Sequence, residues 1–373
     1  MGGGPAKEVL LIILPLPRPD ALISRLQSHH PNLEIRFSQP PDSSSSSPTS
    51  PTDLYKDVTV LVTFSSLPPP SSAPLLDLLQ LFSAGSNHIS DTPLYRDTDI
   101  TIATASGIHG PQIAEWAIMT SLVHSHKYKA LYELQKAHRW GKKPAGEDPG
   151  EGENFRDVRD MVGARLGVLG YGSIGRQVAR VGSAMGMEVV AFTAGRRDTE
   201  ESKRDKGWVV PGTGDVEGRV PGEWWSGLDK GSLRRFLARD LDVLLVSVPL
   251  TEDTRGFLGK EEFEVLAKGS GEGRGGRKPF VVNIARGPII NQEELVEKLK
   301  DGTLGGAALD VTDPEPLPED SELWDLKNVI VTPHVSGVGQ AYTERAFELL
   351  DEQLRRREKG EKLLNVVQRK RGY

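Results

Sequence analysis

Short, uniformly apolar runs alternate with helix-like stretches along the first hundred residues. Runs at 9–14, 58–64 and 101–103 predict buried strands, and the stretches 21–28 and 73–82 predict helices. That alternation predicts an α/β fold. Farther on, Ile113, Trp116, Ala117, Thr120, Leu122 and Val123 fit one long helix over about 112–137. A second series starts with a strand at 165–169, a helix to about 185 and a strand at 188–192, together one β-α-β unit. Strands are predicted again at 243–248, 280–284, 306–309 and 329–331, and a last helix at about 340–359. Between these elements lie a serine-rich run flanked by Pro40 and Pro51, a Gly/Pro/charge stretch at 141–152, and polar glycine-dense insertions at 206–231 and 269–278. Such compositions bury little apolar surface and predict surface loops.

Composition narrows the function classes. A chain of 373 residues is long enough for two domains with separate cores. The net charge of −6 gives no general basic field, so nucleic acid is not expected as a main partner, and Arg369-Lys370-Arg371 reads as a solvated tail. With no cysteine, disulfides, thiolate metal sites and a cysteine nucleophile are excluded. The run at 9–14 is far too short to span a bilayer, so no membrane segment is expected. Gly2 is followed by Ala6 where a myristoylation motif needs Ser or Thr, and Arg371-Gly372-Tyr373 is no peroxisomal address, so a cytoplasmic location is expected. His29-His30 and His124-x-His126 lack the spacing of a metal site, and none is expected.

Candidate chemistry begins at Gly170-Tyr171-Gly172-Ser173-Ile174-Gly175, which follows a Val/Leu strand and opens a helix. In that context Gly170 permits the tight turn, Gly172 lets a pyrophosphate approach the backbone, and Gly175 allows close helix–strand packing. A dinucleotide site is expected there, involving Ser173 and Ile174. At the end of the next strand, where an acidic residue would bind a ribose 2′-hydroxyl, the chain has Thr193, Arg196 and Arg197. A hydroxyl donor and two guanidinium groups suit a 2′-phosphate, so NADP is expected, with NAD as a possible substitute.

Three later segments supply a cation, a carboxylate and an imidazole in that order: Asn283-Ile284-Ala285-Arg286-Gly287, Asp313-Pro314-Glu315-Pro316 and Thr332-Pro333-His334-Val335-Ser336-Gly337. Behind the glycine turn, this succession resembles the D-isomer-specific 2-hydroxyacid dehydrogenase family. The resemblance implies catalytic roles. Arg286 would grip the carboxylate and carbonyl oxygen of a 2-oxo acid, His334 would pass the proton, and Glu315 would orient the imidazole. It also implies two Rossmann-like lobes, one flavodoxin-like and one dinucleotide-binding, with a cleft between them. The substrate domain would be discontinuous (1–104 and 338–373) around an NAD(P)-binding domain at 105–337. Val248, Pro249 and Asp310 would line the cofactor pocket, with Asp310 bonding the carboxamide. Ser65, Ser66 and Gly85 would lie at the substrate carboxylate, although Phe64-Ser65-Ser66-Leu67-Pro68 replaces the usual glycine-rich loop. The implied substrates are small 2-oxo acids of the glyoxylate or hydroxypyruvate type, interconverted with D-2-hydroxy acids. A homodimer joined through 112–137 is implied as well. A cofactor-binding corepressor of the C-terminal-binding-protein type is the alternative, since such proteins share the fold and the cofactor site. Formate or phosphite chemistry is less in keeping with the Glu315–His334 pair.

Overall fold

The computed structural model describes residues 8–40, 53–140, 155, 158–269 and 278–369. The chain forms two compact units: Met1–His109 with Lys206–Val210 and Gly339–Tyr373, and Gly110–Asp205 with Pro211–Val338. Expectations for Gly2, residues 43–47, 141–152 and 270–277, and Lys370-Arg371 fall outside the described residues.

The first unit contains β1 (Val9–Ile13), α1 (Asp20–His29), β2 (Glu34–Ser38), β3 (Val60–Thr63), β4 (Leu78–Leu81), α2 (Pro93–Arg96) and β5 (Thr101–Ala103). Its strands are parallel in the order β2-β1-β3-β4-β5, the flavodoxin-like arrangement. Because both faces of the sheet are covered, alternate residues of β1 enter different cores: Leu10 and Ile12 join one, Val9, Leu11 and Ile13 the other. The helix expected at 73–82 is not formed. Leu78–Leu81 is instead a fully buried strand paired with β3 and β5. A short apolar run buried on both sides carries no period that separates strand from helix. The half-buried edge strand β2, with Glu34, Arg36 and Ser38, was too polar to stand out.

The second unit contains α3 (Gly110–Ser125), α4 (Tyr128–Lys136), β6 (Arg165–Leu169), α5 (Ser173–Ala184), β7 (Glu188–Thr193), α6 (Glu200–Lys203), β8 (Glu223–Ser226), α7 (Lys230–Leu237), β9 (Val243–Val246), α8 (Lys260–Gly269), β10 (Phe280–Asn283), α9 (Gln292–Lys300), β11 (Gly306–Leu309) and β12 (Val329–Val331). Its parallel sheet runs β12-β11-β10-β9-β6-β7-β8. The order reverses between β6 and β9, and in doubly wound sheets ligands bind at the carboxyl ends of the strands flanking that reversal. The final helix, α10 (Tyr342–Glu358), belongs to the first unit, where Phe347, Leu350 and Leu354 join the core that holds Leu10 and Ile12. Among the described residues no helix is long and apolar enough to cross a membrane.

Two expectations in and around this unit are corrected. The long helix over 112–137 is two helices, because Lys127 takes a left-handed φ of 55° and ends the α3 geometry before α4 begins. The stretch 206–231 is not a simple loop. It holds the edge strand β8, and Lys206–Val210 belongs to the first unit, where Trp208 packs beside that unit's core. Tryptophans in a polar, glycine-dense stretch were the available signal.

Candidate active site

The glycine turn is shaped by close approaches on one side and open space on the other. Gly170 has φ 103°, and a Cβ there would lie 2.7 Å from the Ser247 and Val248 backbone. A Cβ on Gly175 would lie 2.3 Å from the Gly170 carbonyl oxygen, so α5 starts hard against the strand. Around Gly172, in contrast, an added Cβ meets nothing within 4 Å. The N-terminus of α5 opens there, with no side-chain cap from Gly172 and Ser173 as its first residue. This is an anion-accepting geometry. Ile174 packs against the core that holds Leu166 and Val168, and Val248 against the separate core that holds Leu169 and Val246. The Ser247 hydroxyl donates to Gly170 O (2.7 Å), and that of Thr254 donates to Pro249 O (2.6 Å), holding the β9 exit in place.

At the end of β7 the three expected 2′-phosphate residues differ in availability. The Thr193 hydroxyl donates to Gly195 O at 2.7 Å, so its single proton is already used. Arg196 is exposed and pairs with Asp198 at 3.0 Å. Arg197 donates from Nη1 to Ser202 O at 2.6 Å, while its Nε is buried without a hydrogen-bond partner. A buried donor on a cation calls for an acceptor. Together with the open side of the glycine turn, it makes these residues fit for a phosphate-bearing dinucleotide.

The cation, carboxylate and imidazole come together within the second unit. Arg286 follows β10 in a turn held by Asn283, which is almost fully buried; its Nδ2 donates to Arg286 O (3.2 Å) and its Oδ1 accepts from Ala285 N (3.1 Å). Gly287 then passes so close to the next segment that a Cβ would sit 1.9 Å from Thr312 O. Only glycine allows this approach, which draws Arg286 toward the segment carrying Glu315. Arg286 is half-buried and bonds Ala285 O through Nη1 at 2.6 Å. Burial pushes its guanidinium down from the ordinary range, and the Glu315 carboxylate pushes it back up. Glu315 Oε1 lies 2.6 Å from His334 Nδ1, both side chains being partly exposed. An ionised carboxylate only accepts, so Nδ1 carries hydrogen and Nε2 is left to exchange a proton with a ligand.

His334 adopts φ 56°, with its backbone N–H donating to Asp310 O (2.9 Å) and Thr332 O (3.0 Å). The Asp310 side chain, 2% exposed, organises the rest of this loop. Oδ1 accepts from Thr332 Oγ1 (2.6 Å) and Val335 N (2.9 Å), and Oδ2 accepts from Ser336 N (2.9 Å) and from the Ser336 hydroxyl. Two of these four donors are fixed backbone N–H groups and two are hydroxyls that can turn away, so the loop itself holds the Asp310 carboxylate in place.

In the first unit, Ser66 N donates to Thr63 Oγ1 at 3.0 Å, and His88 Nε2 donates to Phe64 O at 2.7 Å. Ser65 is exposed, and Ser83 Oγ donates to Gly85 O at 2.9 Å. Ser65, Ser66 and Gly85 thus lie in two loops at the carboxyl ends of β3 and β4. His88 escaped the sequence reading, whereas Asn283, the last residue of β10, opens the segment that carries Arg286.

A family model described as D-isomer specific 2-hydroxyacid dehydrogenase, NAD binding domain, matches residues 118–210 and 226–336. Glycerate dehydrogenase of Methylorubrum extorquens is 32% identical over 200 residues, 53% of this chain and 49% of that enzyme. Glyoxylate reductase of Thermofilum pendens is 27% identical over 278 residues, 74% of this chain and 70% of that enzyme. The chain thus spans about half the length of the first relative and more of the second. Among solved structures, the NADPH-dependent glyoxylate/hydroxypyruvate reductase of Sinorhizobium meliloti, in complex with NADP and sulfate, superposes with a TM-score of 0.73 at 25% identity, covering 98% of this chain and all of that one.

Proposed function

The chain belongs to the D-isomer specific 2-hydroxyacid dehydrogenase family, and on that premise we propose that it reduces small 2-oxo acids of the glyoxylate or hydroxypyruvate type to D-2-hydroxy acids, with NADPH preferred over NADH. The observation that carries the reading is the 2.6 Å Glu315–His334 pair, with Arg286 in electrostatic reach of the same carboxylate. The nicotinamide cofactor supplies the hydride. Arg286 binds the substrate carboxylate and polarises the 2-oxo group with its planar fork of donors. His334 delivers the proton from Nε2 to the developing alkoxide, and Glu315 stabilises the imidazolium in the orientation that transfer requires. Gly170, Gly172, Ser173, Ile174 and Gly175 form the pyrophosphate cradle, with Val248 and Pro249 beside it. Arg197, supported by Arg196, takes the 2′-phosphate. The names of both reductases above support the substrate class, and NADP in the Sinorhizobium complex supports the cofactor. A second copy of the chain docks on α4, whose exposed Tyr128, Leu131 and Tyr132 leave an apolar face.

Initial rates of NADPH and NADH oxidation with glyoxylate, hydroxypyruvate, pyruvate and a branched 2-oxo acid test the proposal. Turnover with the small acids, lost in Arg286→Ala, is the expected result. Tight NADPH binding without turnover on any of them would overturn it in favour of the corepressor-type alternative.

A further inference from the structure

Arg176 is a cation 3% exposed on the first turn of α5, beside the apolar Val178 and Ala179. Its Nη1 donates to Asp215 O and its Nη2 to Lys203 O, each at 2.5 Å, and its Nε faces Asp205 at 3.6 Å. The guanidinium stacks 4.9 Å from the ring centre of Tyr171, the residue between Gly170 and Gly172. Tyr171 in turn donates to Asp215 Oδ2 at 2.7 Å, and that carboxylate also accepts Arg219 N and Val220 N at 2.9 and 3.1 Å. Neighbouring side chains of α5 continue the pattern: Gln177 Oε1 accepts Gly214 N (2.6 Å), and Arg180 donates to Gly214 O (3.2 Å). Burying a charge is costly unless it is paired and hydrogen-bonded, so a cation retained here implies a task that an apolar residue could not perform. That task is gathering the backbone carbonyls of 203 and 215 onto the helix that begins at the glycine turn.

One of those carbonyls bears on cofactor choice. Lys203 ends α6, a helix closed at its start by a reciprocal Thr199–Ser202 capping box. The preceding carbonyl, Ser202 O, is the one on which Arg197 docks. We propose that Arg176 is a positioning residue for dinucleotide selection: by pinning the end of α6 to α5 it sets the ledge that orients Arg197, and so sustains preference for a 2′-phosphate. This rests on the reading of Arg197 as a 2′-phosphate ligand. Electrostatics agree with the placement. Burial pushes the Arg176 guanidinium down, Asp205, Tyr171 and Asp215 oppose that, and Arg197 adds to the depression, so the two cations feel one another. A phosphate dianion held at Arg197 relieves that repulsion.

The test is the affinity of the free protein for 2′,5′-ADP and for 5′-AMP, by calorimetry, in Arg176→Met, Arg197→Ala and the double variant. Arg176→Met is expected to weaken 2′,5′-ADP about 5- to 20-fold while leaving 5′-AMP within about twofold. The double variant should bind 2′,5′-ADP no more weakly than Arg197→Ala, because one residue acts through the other. Arg176→Lys, which keeps the charge and one donor direction, should recover part of the loss. Equal weakening of both ligands, no weakening, or additive effects in the double variant would overturn the proposal. If Arg197→Ala leaves 2′,5′-ADP binding unchanged, the Arg197 reading itself falls and takes this one with it. Should Arg176→Met fail to fold, Asp205→Asn, which weakens the same guanidinium anchor, carries the comparison with the same expected ratio.

Discussion

Replacing Asp310 with Asn keeps the shape of the side chain and removes its ability to accept on both arms. In one rotamer the new amide nitrogen faces Ser336 N and Oγ, and in the other it faces Val335 N and Thr332 Oγ1. A hydroxyl can rotate and accept instead of donating, but a backbone N–H cannot. Either way one amide hydrogen points at another donor in a site 2% exposed. An unsatisfied buried donor costs about 1–3 kcal/mol, and lost charge assistance on the remaining bonds brings the total to roughly 2–4 kcal/mol. The loop also holds His334 at φ 56°, a conformation that costs on the order of 1 kcal/mol and persists only while its surroundings enforce it. Asp310→Asn should therefore lower the melting temperature by about 5–10 °C. It should lower kcat about 10- to 100-fold as His334 loses its set geometry. Thermal unfolding, NADPH oxidation rates and amide exchange at Val335 and Ser336 measure these effects. Unchanged melting and exchange, with an equal rise in the Michaelis constants for NADPH and NADH, would refute the loop-holding account in favour of a carboxamide contact.

Glu315→Gln leaves His334 Nδ1 an acceptor but no negative charge, so kcat should fall about 100-fold with little change in the Michaelis constant for the oxo acid; wild-type kcat would remove Glu315 from the mechanism. Glu352 on α10 is held down at about 2 by hydrogen bonds from Arg355 and then Arg356, against the opposing effect of burial. A carboxylate lowered on folding stabilises the fold above its unfolded pKa and loses that contribution as pH falls toward the folded value. Glu352→Gln should thus cost about 1 kcal/mol at pH 7 in urea titrations, with the gap to wild type narrowing between pH 5 and pH 3. A gap that stays constant with pH would contradict the assignment.

The two sheets were largely legible because most of their parallel strands are buried on both faces and so read as compact apolar runs. The same property concealed β4, whose Leu-rich run satisfies a helix pattern as readily as a strand pattern until strand pairing decides between them. Two of the four edge strands, β2 and β8, were lost for the opposite reason: they are only half-buried and mix polar with apolar residues. The split between α3 and α4 depends on one left-handed backbone angle at Lys127, which no side-chain pattern encodes.

At the site, legibility follows from what each residue bonds. Arg286, Glu315 and His334 stood out because their side chains are themselves the chemistry. Asp310 and Arg176 act on backbone N–H and C=O groups, which every residue possesses, so their partners at 335, 336, 203 and 215 leave no trace in side-chain identity. What the sequence did contain was an anomaly of placement: an arginine on the buried face of a short amphipathic helix, directly after the third glycine of the turn. Burying a guanidinium is unfavourable unless several acceptors converge on it, so such a residue marks where distant backbone is being gathered. In this chain the gathered backbone is the segment after β7, and that is why a residue outside the glycine turn bears on which dinucleotide the turn receives.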